Sequence, residues 1–188
     1  MHSAWLSGNY CNLGSMKLLF AAMLAVLPVG IASAQSPAER TSVTLEGKTL
    51  SIRYSAPSVH GRKIFGPGGL LSNDPTYPAW RAGANSATAF HTDADLDIGG
   101  LRVPKGDYTL YAWVADPDNW QLIVNKDTGQ WGLSYDAKMD LGRVKMTMSK
   151  PPASIEMYKM TLSATGPKTG KLQLEWEHHI ASVPIALK

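Results

Sequence analysis

Several cationic and amide side chains in the first half of the chain have the chemistry to hold a polar or anionic ligand. Arginine grips a carboxylate or phosphate through paired hydrogen bonds, and asparagine both donates and accepts. A tryptophan beside them offers a flat face for a sugar ring. The candidate ligand-binding residues are Arg53, Arg62, Lys63, Trp80, Arg81 and Asn85. In the structural alternative, Arg81 pairs with an acidic residue and pins its loop, while Trp80 lies in the core.

His91 is a further candidate for the same site, and Asp93, two residues away, could make it a paired general base. The histidines after residue 35 show neither H-E-x-x-H nor H-x-H spacing, so no metal site is predicted. Asp93, Asp95 and Asp97 are spaced like the ligands of a calcium loop, but Ile98 stands where an EF-hand needs glycine. We interpret them as the water-facing side of a strand.

Motifs for covalent catalysis or phosphate binding are missing from the sequence. Cys11 is the only cysteine, and no G-x-S-x-G elbow occurs. The glycine run at residues 66–69 lacks the Lys-Ser/Thr ending of a phosphate loop. We therefore predict no cofactor and favour a protein that is not an enzyme, although a hydrolase with a dispersed site near Arg81 and His91 stays open.

The elements that must position these residues are short strands. Apolar and polar residues alternate with period two, as in half-buried antiparallel strands. Predicted strands cover residues 49–54, 86–92, 108–114, 120–124, 143–148, 158–164, 171–177 and 181–187. The pair at 108–114 and 120–124 reads as a central hairpin around an Asp-Pro-Asp-Asn turn.

Turn residues recur about every 8–12 residues along the chain, a spacing typical of a β-sandwich. The sequence predicts an all-β fold, a single antiparallel β-sandwich of jelly-roll type. Pro184 lacks a ladder donor, so its strand is expected at a sheet edge or a bulge. The irregular stretch at residues 56–79, rich in glycine and proline, is predicted to be a functional loop.

The first 34 residues have the layout of a signal peptide. Lys17 precedes an apolar run at residues 18–31, and Ala32-Ser33-Ala34 supplies small residues for cleavage. Residues 1–15 are polar and fit a mis-assigned start, with Met16 as the natural one. We predict cleavage after Ala34, export to the periplasm or the extracellular space, and a β-sandwich domain at residues 35–188 without a membrane span.

The charge of the chain is modest. The formal net charge of the 188 residues is +3, and the leader contributes only Lys17 to it. That balance, with no basic run longer than Arg62-Lys63, argues against nucleic acid as a partner.

Ordered short motifs resemble a secreted bacterial family known as domain of unknown function 2911. They are IRYSAPSV at 52–59, GRKIFG at 61–66, WRAGANSAT at 80–88, IGG at 98–100, VPKGDYTL at 103–110 and WQLIVNK at 120–126. The resemblance implies export and an all-β domain, and it implies no activity. Between Gly66 and Pro78 the chain departs from the family pattern with a longer Gly/Pro-rich connection.

Three functions are compatible with these features. The leading prediction is a non-catalytic binding module for a glycan or other small polar ligand. The alternatives are the dispersed hydrolase and an envelope structural or protein-interaction domain. Five aromatic residues could form a sugar platform or pack in the core, and Trp131 is the one most suited to a surface: Trp113, Trp120, Trp131, Tyr135 and Trp176.

Overall fold

A computed structural model of the protein describes residues 35–188, and the predicted leader lies outside the described residues. The described part contains thirteen strands and two short 3-10 helices, at Leu70–Asn73 and Ala137–Met139. The strands are β1 (Ala38–Leu45), β2 (Lys48–Ser55), β3 (Ala79–Trp80), β4 (Thr88–Thr92), β5 (Leu96–Ile98), β6 (Leu101–Val103), β7 (Gly106–Trp113), β8 (Gln121–Asn125), β9 (Asp140–Lys145), β10 (Thr147–Ser149), β11 (Ile155–Ala164), β12 (Thr169–Glu177) and β13 (His179–Leu187).

The strands form two antiparallel sheets, which confirms the prediction of an all-β sandwich. Sheet 1 has the order β1-β2-β4-β7-β8-β9, with β3 pairing the far end of β7. Sheet 2 has the order β11-β12-β13-β5-β6, with β10 pairing the start of β13. The predicted hairpin around the Asp-Pro-Asp-Asn turn is β7 and β8, at the centre of sheet 1. Within the described residues, no helix is long and apolar enough to cross a membrane.

The core lies between the sheets and follows the predicted alternation. In β2 the buried residues are Leu50, Ile52 and Tyr54, and the residues between them face outward. Burying side chains of this size supplies the main favourable term in folding. At one end of the core, aromatic rings pack edge to face or stacked, with Trp80 and Trp176 stacked at 5.5 Å between ring centroids. Loop residues Ile64, Phe65 and Leu71 close this end, each less than 7% exposed.

The predicted strand at residues 143–148 is two strands in different sheets, which corrects that prediction. Strand β9 ends at Lys145 in sheet 1, and β10 begins at Thr147 in sheet 2. Met146 lies at the corner between them, where it is 2% exposed and donates its amide to the Trp120 carbonyl at 2.9 Å. Because the alternation continues unbroken through Met146, the sequence does not mark the change of sheet.

Pro184 lies inside sheet 2 rather than at an edge, which corrects a second prediction. Its strand, β13, has β12 on one side and β10 and β5 on the other. The Pro184 carbonyl accepts from Gly99 on the β5 side, so the nitrogen faces that side too. There it falls between Ser182, where pairing with β10 ends, and Ile185, where pairing with β5 begins. No ladder hydrogen bond is lost at that gap.

Candidate functional site

The register of sheet 1 aligns two rows of outward-facing side chains across its strands. Ser51 lies opposite His91, and His91 opposite Asp107. In the next row Arg40 lies opposite Arg53, then Ala89 and Thr109 follow. These side chains lie on the outer face because the residues between them, such as Ile52 and Phe90, are buried in the core. Thr109 is itself only 1% exposed, because the segment after β8 covers it.

A depression follows these rows along the outer face of sheet 1, and we call it the outer groove. Its larger hollow, of about 520 Å³, is lined by Arg40, Ser51, Arg53, Ala89, Phe90, His91, Asp107, Tyr108, Thr128 and Gly129. A second hollow, of about 300 Å³, shares Arg53, Ala89 and Gly129 with the first and continues toward Gln130. Arg53 therefore lies where the two hollows meet.

One wall of the outer groove is the segment that follows β8. The Thr109 hydroxyl donates to the Asp127 carbonyl at 2.7 Å, which holds the turn over the sheet. The Gln130 amide donates to the Tyr111 hydroxyl at 3.1 Å, and the Gln130 carbonyl accepts from Ala87 at 3.3 Å. Gly129 has φ of +76°, a left-handed conformation that favours glycine. These contacts fix the wall to the floor.

Arg40 and Arg53 are direct cross-strand neighbours, and both are exposed. Within residues 35–188, neither forms an ion pair with an acidic side chain. Like charges placed directly opposite each other destabilise a sheet. The groove therefore presents two guanidinium groups whose charge no described residue neutralises through an ion pair.

His91 closes one end of the outer groove between two carboxylates. Its Nδ1 lies 2.8 Å from Asp107 Oδ1, and its Nε2 lies 3.0 Å from Asp93 Oδ1. Hydrogen bonds to Asp93, then to Asp107, raise the pKa of His91 above its ordinary value. The bond to His91, and then one from the Thr49 amide, lower the pKa of Asp93. Both ring nitrogens are engaged, so His91 has no free nitrogen with which to act as a general base.

The comparisons place this fold in a family. The family model described as protein of unknown function (DUF2911) matches residues 36–185. The chain belongs to this family. The match covers β1 to β12 and β13 as far as Ile185, so the outer groove lies wholly within the DUF2911 domain. Comparisons with curated proteins and with solved structures find no match.

The structure brings only two of the seven predicted site residues of this DUF2911 domain into the outer groove, Arg53 and His91. Arg62 and Lys63 are exposed in the long loop and bond to its own backbone. Arg62 donates to the Ser58 and Val59 carbonyls at 2.6 and 3.0 Å, and Lys63 donates to the Pro67 carbonyl at 2.7 Å. They brace the loop.

Trp80 lies in the core, which corrects the prediction that it could stack on a ligand. Its side chain is 2% exposed, and its indole N–H donates to the Gly83 carbonyl at 2.9 Å. The ring packs against other aromatic rings, among them Trp176 and Tyr158. A tryptophan ring can pack in a core or stack on a sugar, and the sequence alone does not show which of these roles Trp80 has.

Arg81 pairs with an acidic residue, Asp74, which is the structural alternative given for it in the sequence analysis. Its Nη1 lies 2.8 Å from Asp74 Oδ2, and the two side chains are only 18% and 9% exposed. Asn85 has φ of 59°, and its carbonyl accepts from the Gly132 amide at 3.2 Å. Arg81 and His91 line separate hollows that share no residue, so a site containing both is not assembled.

The groove also contains residues that sequence reasoning missed. Arg40 belongs to β1, whose alternation of Thr41, Val43 and Leu45 with polar residues is a readable signal. Ser51 and Asp107 have no local signal, because their place in the groove depends on which strands pair. Of the three aspartates interpreted as the water-facing side of a strand, only Asp97 lies in one, β5. Asp95 and Asp97 support turns: Asp95 accepts from the Lys105 amide at 2.9 Å and Asp97 from the Gly100 amide at 2.7 Å.

Proposed function

We propose that this protein is an exported, non-catalytic binding module that holds a small polar ligand in the outer groove. The observation that carries the proposal is Arg53 at the junction of two hollows, above a floor of small side chains. Concave sites with a few converging polar groups are where small ligands bind. Export rests on the leader pattern of residues 1–34.

A sugar-like ligand is compatible with this site, since an exposed tryptophan follows Gln130 in the wall of the outer groove. Trp131 is 56% exposed, and its backbone bridges to Ser86, which lines the second hollow. An exposed indole ring offers an apolar face on which a sugar ring can stack. The glycan alternative is therefore retained, with Trp131 rather than Trp80 as the stacking residue.

The geometry supports binding better than catalysis. A general base needs a free acceptor atom within reach of its substrate, and both nitrogens of His91 are occupied by carboxylates. Serines of the groove, such as Ser51 and Ser55, have no histidine positioned in the way a nucleophile requires, since His91 is held by Asp93 and Asp107.

The test is to fill the groove and ask whether ligand binding is lost. Ala89→Phe places a large ring in both hollows, and Ala186→Phe is the matched control on the outer face of sheet 2. Nuclear magnetic resonance spectra of labelled residues 35–188 would be titrated with glucose, N-acetylglucosamine, glucuronate, glutamate and inorganic phosphate.

The proposal expects at least one compound to shift the amide signals of Ser51, Ala89 and Gly129. Ala89→Phe should abolish that shift, and Ala186→Phe should retain it. If no compound moves these signals, or if Ala89→Phe binds like the unaltered protein, the outer groove is not the ligand site. The envelope-interaction alternative then takes its place.

A further inference from the structure

We infer that the outer groove is built for an oxyanion, a carboxylate or phosphate group carried by a small ligand and held between Arg40 and Arg53. The inference deepens the proposed function and rests on it. Its basis is the placement of two guanidinium groups as direct cross-strand neighbours in the larger hollow.

Acidic residues on β1, on β7 and after β4 do not pair with these arginines. Asp107 and Asp93 both bond to His91, in the neighbouring row of the sheet. Glu39 adjoins Arg40 in the chain but points to the opposite side of β1, toward Tyr54, whose pKa is raised by burial and further by the Glu39 charge. Within residues 35–188, the arginine pair therefore has no carboxylate as an ion-pair partner.

An oxyanion between the two side chains would remove their mutual repulsion. Each guanidinium carries five N–H donors in a planar fork that matches a carboxylate or phosphate. Ser51, in the same hollow, adds a hydroxyl that can donate to a third oxygen. Ala89 follows Arg53 in the row and leaves the space into which the rest of the ligand extends.

The charge distribution favours a small anion over a polyanion. The groove holds two unpaired arginines with Asp107 at one end, and Asp107 would repel a second phosphate there. A nucleic acid would need a longer basic track, which the formal net charge of +3 does not suggest. One acidic group on a compact, otherwise polar body fits both hollows.

The experiment titrates the protein with inorganic phosphate, glucuronate and glucose at constant ionic strength, set with sodium chloride. Comparing phosphate with glucuronate shows whether the groove recognises a phosphate or a carboxylate. Glucose is the uncharged counterpart of glucuronate. The variants are Arg40→Gln and Arg53→Gln. Arg102→Gln is the control, an exposed arginine on sheet 2 that pairs with Asp95 at 3.3 Å.

We expect phosphate, glucuronate or both to bind with a dissociation constant in the millimolar range or tighter. Loss of one charge-assisted contact should weaken binding about 10-fold to 100-fold in either groove variant. The control should bind within about twofold of the unaltered protein, since Arg102 is outside the groove. Without an oxyanion, Arg40→Gln should leave the melting temperature unchanged or raise it, because a like-charge neighbour is removed.

Three results would overturn the inference, and they distinguish its failure from failure of the proposed function. If glucose binds as tightly as glucuronate and Ala89→Phe abolishes both, the groove binds polar ligands without an oxyanion requirement. If none of the three compounds binds, the inference fails, and the proposed function fails with it only if N-acetylglucosamine and glutamate also leave the groove signals unmoved. A fall of several degrees in the melting temperature of Arg40→Gln would make the pair a structural contact instead.

Discussion

Replacing Arg81 with alanine should destabilise the protein strongly without touching the outer groove. The Arg81 guanidinium pairs with Asp74 at 2.8 Å, and the Asp74 side chain is only 9% exposed. Removal of one partner leaves the other charge buried, which typically costs about 3–5 kcal/mol. Thr76 still donates its amide and hydroxyl to Asp74 at 2.9 and 2.8 Å, which offsets part of that cost. We expect Arg81→Ala to lower the free energy of unfolding by about 2–3 kcal/mol.

The assay is urea unfolding at pH 7, followed by circular dichroism and tryptophan fluorescence. For a domain of this size the expected loss corresponds to a fall in melting temperature of about 4–12 °C. Arg102→Ala is the control, because the Arg102–Asp95 pair is exposed, with side-chain exposures of 74% and 37%. An exposed pair contributes about 0–1 kcal/mol. An Arg81→Ala variant as stable as the Arg102→Ala variant would refute the view that Arg81 pins its loop.

The remaining predictions concern His91, Gly132 and Trp176. The pKa of His91 is raised by Asp93 and Asp107, so its contribution to stability is complete below its ordinary pKa of 6.5 and is lost as pH rises through the raised value; unfolding free energies from pH 5 to 9 should fall less for His91→Gln than for the unaltered protein. Gly132→Ala should cost about 1–3 kcal/mol in urea unfolding, because a Cβ there would collide with the Arg81 side chain. Trp176→Ala, which empties the stack on Trp80, should cost about 3–5 kcal/mol by the same measurement, and a cost below about 1 kcal/mol would contradict that packing.

Local alternation predicted β2, β4, β7, β8, β11, β12 and β13, because burial on one face imposes period two on each strand separately, but β1 was missed. Residues 171–177, for example, lie in β12 with Leu172, Leu174 and Trp176 buried. Alternation says nothing about which strands pair, so the sequence alone could not bring Arg40 beside Arg53. It also could not show that the chain changes sheets at Met146, since the pattern is the same on both sides.

The candidate site was harder to predict than the fold because nearby positions in the chain take different roles. Arg81 adjoins Trp80, and the pair has the composition of a ligand site. Burial decides otherwise, since Trp80 is 2% exposed and Arg81 is held by Asp74. Arg53 and His91 both face solvent from adjacent strands of sheet 1 and line the outer groove. Whether they bind a ligand stays a prediction.

The path of the chain between β4 and β7 has a consequence for how the protein folds. These two strands are neighbours in sheet 1, yet the hairpin of β5 and β6 that separates them in the chain belongs to sheet 2. Sheet 1 therefore cannot complete its centre until the chain has crossed over and returned, and closing such non-local pairs is slow. We therefore expect that neither sheet folds as a separate unit. Native-state hydrogen exchange should find that the amides of β7 and β13 open together, with one free energy.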